Sequence, residues 1–191
     1  GKSAGSGSGY NGTLSISGGG ATTRNISLTG SVVSAPTGTA YRLIVNEDDI
    51  FPGDEIVIMN ASGSYAMSTT QNTNNRGATN SGFSFSGPTL FNNSTSIQNI
   101  VIEGCDDEWL LKVGDKYLNS ETSSNALNSN ASAGTNGKWN VVINSLSGEA
   151  TLKSNTSETS SSNRNWLQYN YNSGSPLFSC YGDIGSRELV K

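Results

Sequence analysis

Histidine is absent from the 191-residue chain. That absence removes the Ser-His-Asp and Cys-His catalytic systems, histidine metal sites and histidine general bases together. Charge is scarce as well: 14% of residues are charged, with 11 Lys and Arg against 15 Asp and Glu, for a net charge of -4. A nucleic-acid partner needs a basic stripe to neutralise phosphate, and these scattered cations make none, so nucleic acid is excluded as the expected partner. No apolar run approaches the roughly 18 residues of a membrane-spanning helix. Cysteine occurs twice, at Cys105 and Cys180. An exported protein could join them, but Cys180 in Leu177-Phe178-Ser179-Cys180-Tyr181 reads equally as a small buried hydrophobe and Cys105 as part of a turn, so pairing stays open.

In place of charge the chain has hydroxyls and amides. Ser, Asn, Gly and Thr number 32, 23, 23 and 17, about half of all residues. Intracellular domains usually keep about a quarter of their positions charged, so this polar but uncharged surface points outside the cell. The chain opens on no signal peptide, and a mature or trimmed form of an exported protein is expected. Residues 1–9 read as a flexible Gly-Ser linker. Residues 10–40 contain two alternating stretches, around Leu14 and Ile16 and around Ile26 and Leu28, separated by Gly18-Gly19-Gly20, which reads as a β-hairpin extension.

From residue 41 onward three aromatic-apolar groups recur, Tyr65-Ala66-Met67, Tyr117-Leu118 and Trp166-Leu167. A period near 50 residues with little helix signal predicts one supersecondary unit used three times around a core. Strands are expected at 55–59, 64–69 and 76–78, at 109–113, 116–120 and 126–127, and at 149–153, 165–170 and 177–181. A further strand precedes each unit, at 41–45, 99–103 and 139–144. Residues 80–96 and 154–163 read as inserted loops. Twelve strands in three units predict an all-β domain over 41–191, a β-trefoil-like barrel of three ~50-residue units, with a Greek-key β-sandwich as the alternative. The apolar member of each repeated group is assigned to the core.

Candidate binding groups follow the second strand of a unit. Gln71, Asn74, Asn75 and Arg76 lie in one loop, Asn163 and Arg164 ahead of Trp166 in another. Amides and arginine can share hydrogen bonds with vicinal hydroxyls while an aromatic face covers the apolar side of a sugar ring. The competing account is that Asn tolerates left-handed turns and that a hairpin arginine bonds backbone carbonyls. The acidic clusters Glu47-Asp48-Asp49 and Asp106-Asp107-Glu108 fit no calcium-loop spacing and read as solvated turns. Gly18-Gly19-Gly20 lacks the lysine and helix of a phosphate loop. No catalytic residue, metal or cofactor is assigned, and a hydrolase with paired carboxylates ranks last among the function classes.

Residues 64–78, which contain Tyr65-Ala66-Met67-Ser68-Thr69-Thr70-Gln71-Asn72-Thr73-Asn74-Asn75-Arg76-Gly77-Ala78, resemble an accessory module of large secreted and surface proteins of gut bacteria. So do Asn165-Trp166-Leu167-Gln168-Tyr169-Asn170 and Leu177-Phe178-Ser179-Cys180-Tyr181. The resemblance covers roughly residues 41–191 and implies an extracytoplasmic accessory β-domain with no ligand attached. A looser resemblance joins the chain to β-trefoil lectins and fascin-like trefoils. No Gln-x-Trp triplet occurs, so no sugar-binding residue is carried over from the ricin-type pattern. The expectation is a monomeric, non-catalytic binding module, secreted or surface-anchored (a lipoprotein included), with a glycan first and a cell-surface protein second as partner. A structural or protein-interaction domain is the alternative.

Overall fold

Period-two alternation becomes strand throughout the chain, because successive side chains of an extended backbone point to opposite faces. The structure, a computed structural model, describes residues 10–30, 35–105, 108–121, 124–155, 163–171 and 174–191. The expected linker at 1–9, Asp106, Asp107 and parts of the loops expected at 154–163 and 172–175 lie outside the described residues. The chain divides into two compact units, Gly1–Pro36 and Thr37–Lys191.

In the first unit β1 (Tyr10–Gly18) pairs antiparallel with β2 (Ala21–Gly30), with Leu14 opposite Ile26 and Thr13 opposite Ser27. Gly19 and Gly20 form the two-residue turn at φ 57 and 76. Two consecutive positive φ values suit the right-handed twist of a hairpin and favour glycine at both places. Leu14, Ile16, Ile26 and Leu28 share one face of the ribbon and are exposed.

The second unit is all-β, with antiparallel pairing throughout and no α-helix among the described residues. Its strands are β3 (Thr39–Arg42), β4 (Glu55–Ile56), β5 (Ala66–Gln71), β6 (Arg76–Thr79), β7 (Phe83–Ser86), β8 (Thr89–Asn92) and β9 (Ile100–Glu103). They continue as β10 (Trp109–Val113), β11 (Lys116–Ser120), β12 (Leu127–Asn130), β13 (Lys138–Ile143), β14 (Ala150–Ser154), β15 (Trp166–Asn170) and β16 (Leu177–Tyr181). β10 pairs with β9, β11 and β13, and β13 continues to β14, β15 and β16. β4 pairs with β9. Val190 bridges Ala150 on one side and Asn60 on the other, a link that spans 130 residues of chain and has no local signal.

Expected and observed strands differ in places: the strand expected at 55–59 ends at Ile56, followed by isolated bridges at Met59 and Asn60. Residues 80–96, read as a loop, contain the β7–β8 hairpin, because Phe83 and Phe85 alternate with serine around a Gly87-Pro88 turn. The strand expected at 41–45 lies at Thr39–Arg42 and joins that hairpin in a separate three-stranded sheet, Tyr41 opposite Leu90.

Met67, Leu118 and Leu167 are buried in one cluster with Trp139, Phe178 and Leu111. The Trp139 indole N–H donates to the Leu118 carbonyl at 3.1 Å, satisfying the polar atom that this large side chain carries into the core. The aromatic neighbours of the repeated groups are half-buried, and each does something different. Tyr65 stacks on Tyr169, Tyr117 donates to the Glu103 carboxylate, and the Lys153 ammonium lies 5.0 Å from the Trp166 ring centre.

Candidate functional site

The loop between β5 and β6 is tied into the fold by its own side chains. The Gln71 amide nitrogen donates to the carbonyls of Asn72, Asn75 and Leu127, and its oxygen accepts from the Ser129 hydroxyl. Asn74 donates to the Asn125 carbonyl at 3.5 Å, while Asn75 donates to Asn74 and accepts from Asn72. Arg76 is 4% exposed. Its guanidinium donates to the Thr69 carbonyl at 3.1 Å and to the Gln98 amide oxygen at 2.8 Å, and burial pushes its pKa below the usual arginine range. Thus Gln71, Asn74, Asn75 and Arg76 are brought together, but largely to satisfy one another and the backbone. Asn163 and Arg164 belong to the segment ahead of β15, and Arg164 lies over Gly182.

Three tyrosines form a different surface feature. Tyr169 is the buried member, Tyr65 stacks on it at 5.4 Å between ring centres, and Tyr171 lies 5.9 Å from Tyr65. Tyr171 is 57% exposed. Burial raises the pKa of Tyr169, and of Tyr65 to a smaller depth, with the neighbouring phenols acting in the same direction. The Tyr169 hydroxyl is buried without a hydrogen-bond partner among the described residues. The i, i+2 spacing of Tyr169 and Tyr171 places both on one face of the extended chain, the one sequence signal that could have found this platform.

A cavity of about 580 Å³ lies within the 37–191 unit. Ile58, Ile102, Leu111, Leu152 and Val190 form its apolar lining together with Trp109. The segment carrying Leu43, the 3₁₀ turn Glu47–Asp49 and Phe51 borders it. This segment is pinned at two places: the Ile143 N–H donates to the Glu47 carboxylate at 2.8 Å, and Gly53 and Asp54 exchange backbone bonds with Ile102. Gly148 sits at φ +70, and a Cβ there would lie 2.5 Å from Leu43 Cδ2, so glycine is what lets Leu43 close against this wall. The lining is drawn from segments 150 residues apart, and no local pattern announces it.

Of the two acidic clusters, Glu47–Asp49 forms a 3₁₀ turn, while Asp106 and Asp107 lie outside the described residues. Asp48 accepts from Asn46, and Asp49 stands 4.0 Å from the exposed Arg42 guanidinium. The best-developed ionic group is elsewhere. Glu103 accepts from Lys112 at 2.6 Å and from the Tyr117 hydroxyl at 2.9 Å, and these two bonds hold its carboxyl below the usual range. Cys105 is exposed and Cys180 fully buried, and both are free thiols. Burial pushes the Cys180 thiol up, which suits the reading of a small hydrophobe on β16. Among the described residues, no three acidic or thiol groups gather as a metal set.

No family model and no curated protein matches the chain. Among solved structures it is similar to the crystal structure of the lysenin pore, at 14% identity and a TM-score of 0.46, with 88% of this chain and 57% of that chain covered. The chain therefore spans a little over half the length of that relative. A likeness this loose assigns neither ligand nor activity.

Proposed function

We propose that the chain is a non-catalytic, extracytoplasmic binding module with a β-trefoil-like body, and that its ligand is carbohydrate. The observation that carries the ligand class is the exposed Tyr171 ring backed by Tyr65 and the buried Tyr169. A held aromatic face removes apolar sugar surface from water at little entropic cost, since the ring is already positioned. In support of the trefoil, β9 pairs with both β4 and β10, β10 with β13 and β13 with β14, and Val190 bridges Ala150 of β14 and Asn60, links that stop short of a closed barrel. The hairpins β5–β6, β11–β12 and β15–β16 each begin with one of the repeated groups. Supporting an extracytoplasmic setting is the charge-poor composition, with hydroxyls and amides in place of charge.

A glycan array of host and plant polysaccharides, probed with the native chain and with Tyr171→Ala, tests the reading. Stacking on one aromatic ring contributes about 1 kcal/mol, so the variant is expected to lose roughly fivefold in affinity. Uniform absence of glycan binding by the native chain would reject the assignment. The internal commitment of Gln71 and Arg76 favours a second reading, a structural or protein-interaction domain. That reading is supported by a chain that binds no glycan yet raises the melting temperature of the region fused to it.

A further inference from the structure

The cavity has a lining and a charge pattern that the proposed glycan site does not use, and none of Tyr65, Tyr169 or Tyr171 borders it. Its volume of about 580 Å³ falls among those that enclose a small organic ligand. Its deep wall is hydrocarbon, contributed by residues such as Leu111, Leu152 and Val190. Apolar space of this kind is poorly hydrated and readily accepts an apolar guest, because the lining atoms regain dispersion contacts that an empty void forfeits.

The entrance differs from the interior in two respects. Phe51 and Phe85 are 60% and 51% exposed at the lining, which leaves a large apolar rim facing water. The charged groups there are Arg42 and Lys191 against Asp49, Asp54 and Glu55, an excess of one carboxylate. Arg42 faces Asp49 at 4.0 Å, the Lys191 ammonium lies over Gly63, and Asp54 accepts the Phe51 N–H at 2.9 Å. Glu55 is exposed, close enough to Tyr41 to raise that phenol's pKa together with burial. A guest matching both parts has one apolar body and one polar end, and with three carboxylates against two cations on the lining, one of them already paired with Asp49, a cationic end is the complementary one.

We propose that this cavity is a binding site for a single-chain amphiphile with a cationic head, its alkyl chain against Leu111, Leu152 and Val190 and its head beside Asp54 and Glu55. The proposal is independent of the carbohydrate reading, because the two sites share no residue.

Titration calorimetry and methyl NMR with dodecyltrimethylammonium and with dodecanoate, both below their micelle-forming concentrations, test it. Saturable 1:1 binding of the cationic amphiphile is expected, about tenfold tighter than dodecanoate from the difference in head charge. Shifts should be confined to methyls of the cavity lining, those of Ile58, Ile102, Leu111, Leu152 and Val190 foremost. Val141→Trp, at the half-buried cavity wall, should abolish binding, and Glu55→Lys, an exposed change that leaves folding intact, should reverse the preference toward dodecanoate. Failure of the native chain to saturate with either amphiphile overturns the proposal. So do equal affinities for the two heads, shifts at other methyls, or a concentration-dependent dimer that excludes both molecules. The two sites share no residue, so a negative result at the cavity methyls leaves the glycan array outcome standing.

Discussion

The loop at residues 71–76 and the cavity bordered by Leu43 and Phe51 make opposite uses of their side chains. The loop is built from residues suited to sugar recognition, yet the two amide N–H groups of Gln71, shared among three carbonyls, and its oxygen on Ser129 close the loop and join it to β12. The cavity is lined by residues that read as ordinary core, yet they enclose open space. A hairpin loop exposes backbone carbonyls that need donors, and side-chain amides and guanidinium supply them at lower cost than ordering water. Apolar residues on opposing segments fill space only when the backbones approach closely enough, and that depends on chain far away in sequence.

The contrast breaks most sharply at Arg76. Arg76→Ala should cost about 3 kcal/mol in urea unfolding, since it leaves the Thr69 carbonyl and the Gln98 amide without their buried donor. A change within ~0.5 kcal/mol would mean that the guanidinium is free for a ligand after all. Gln71→Ala should cost about 1–2 kcal/mol by the same measurement while leaving glycan affinity unchanged, because its bonds are internal. On the cavity side, Gly148→Ala should cost about 1 kcal/mol by thermal unfolding. Two effects add there, left-handed strain and the displacement of Leu43.

The smallest effect should be a pH dependence at Glu103, which belongs neither to the loop nor to the cavity lining. Glu103 is held below its ordinary pKa by Lys112 and Tyr117. The stability it contributes is present above the unfolded-state value and is lost as pH falls through the lower folded value. Lys112 is raised by the same partner, so its share is lost only as pH rises through its own folded value, far into the alkaline range. Melting temperatures recorded between neutral and acid pH should show a step that Glu103→Gln removes. An unchanged step would assign the acid loss to other carboxylates.

Much of the strand inventory was legible because alternation is local. The expected strands at 109–113, 116–120 and 177–181 coincide with β10, β11 and β16, and Leu118 and Leu167 are core residues as their apolar character predicts. The 80–96 segment was less legible, since Phe83 and Phe85 alternate with serine for only four residues beside a turn rich in polar groups. Of the candidate site, residues 71–76 were legible as a polar turn, but the partner that each side chain bonds was not. Whether an amide faces water or a carbonyl depends on the neighbouring strand. For Gln71 that neighbour is Leu127, 56 residues away.

The amino-acid sequence by itself determined an all-β chain without histidine chemistry, with uncharged polar loops and apolar residues at period two. Those properties follow from side-chain type and from the geometry of an extended backbone. Tertiary structure alone decided that Val190 closes between Ala150 and Asn60, that Arg76 is an interior donor, that Tyr171 is held as an exposed platform and that about 580 Å³ remains open. Each of these depends on distances between segments far apart in the chain, which local preference does not encode.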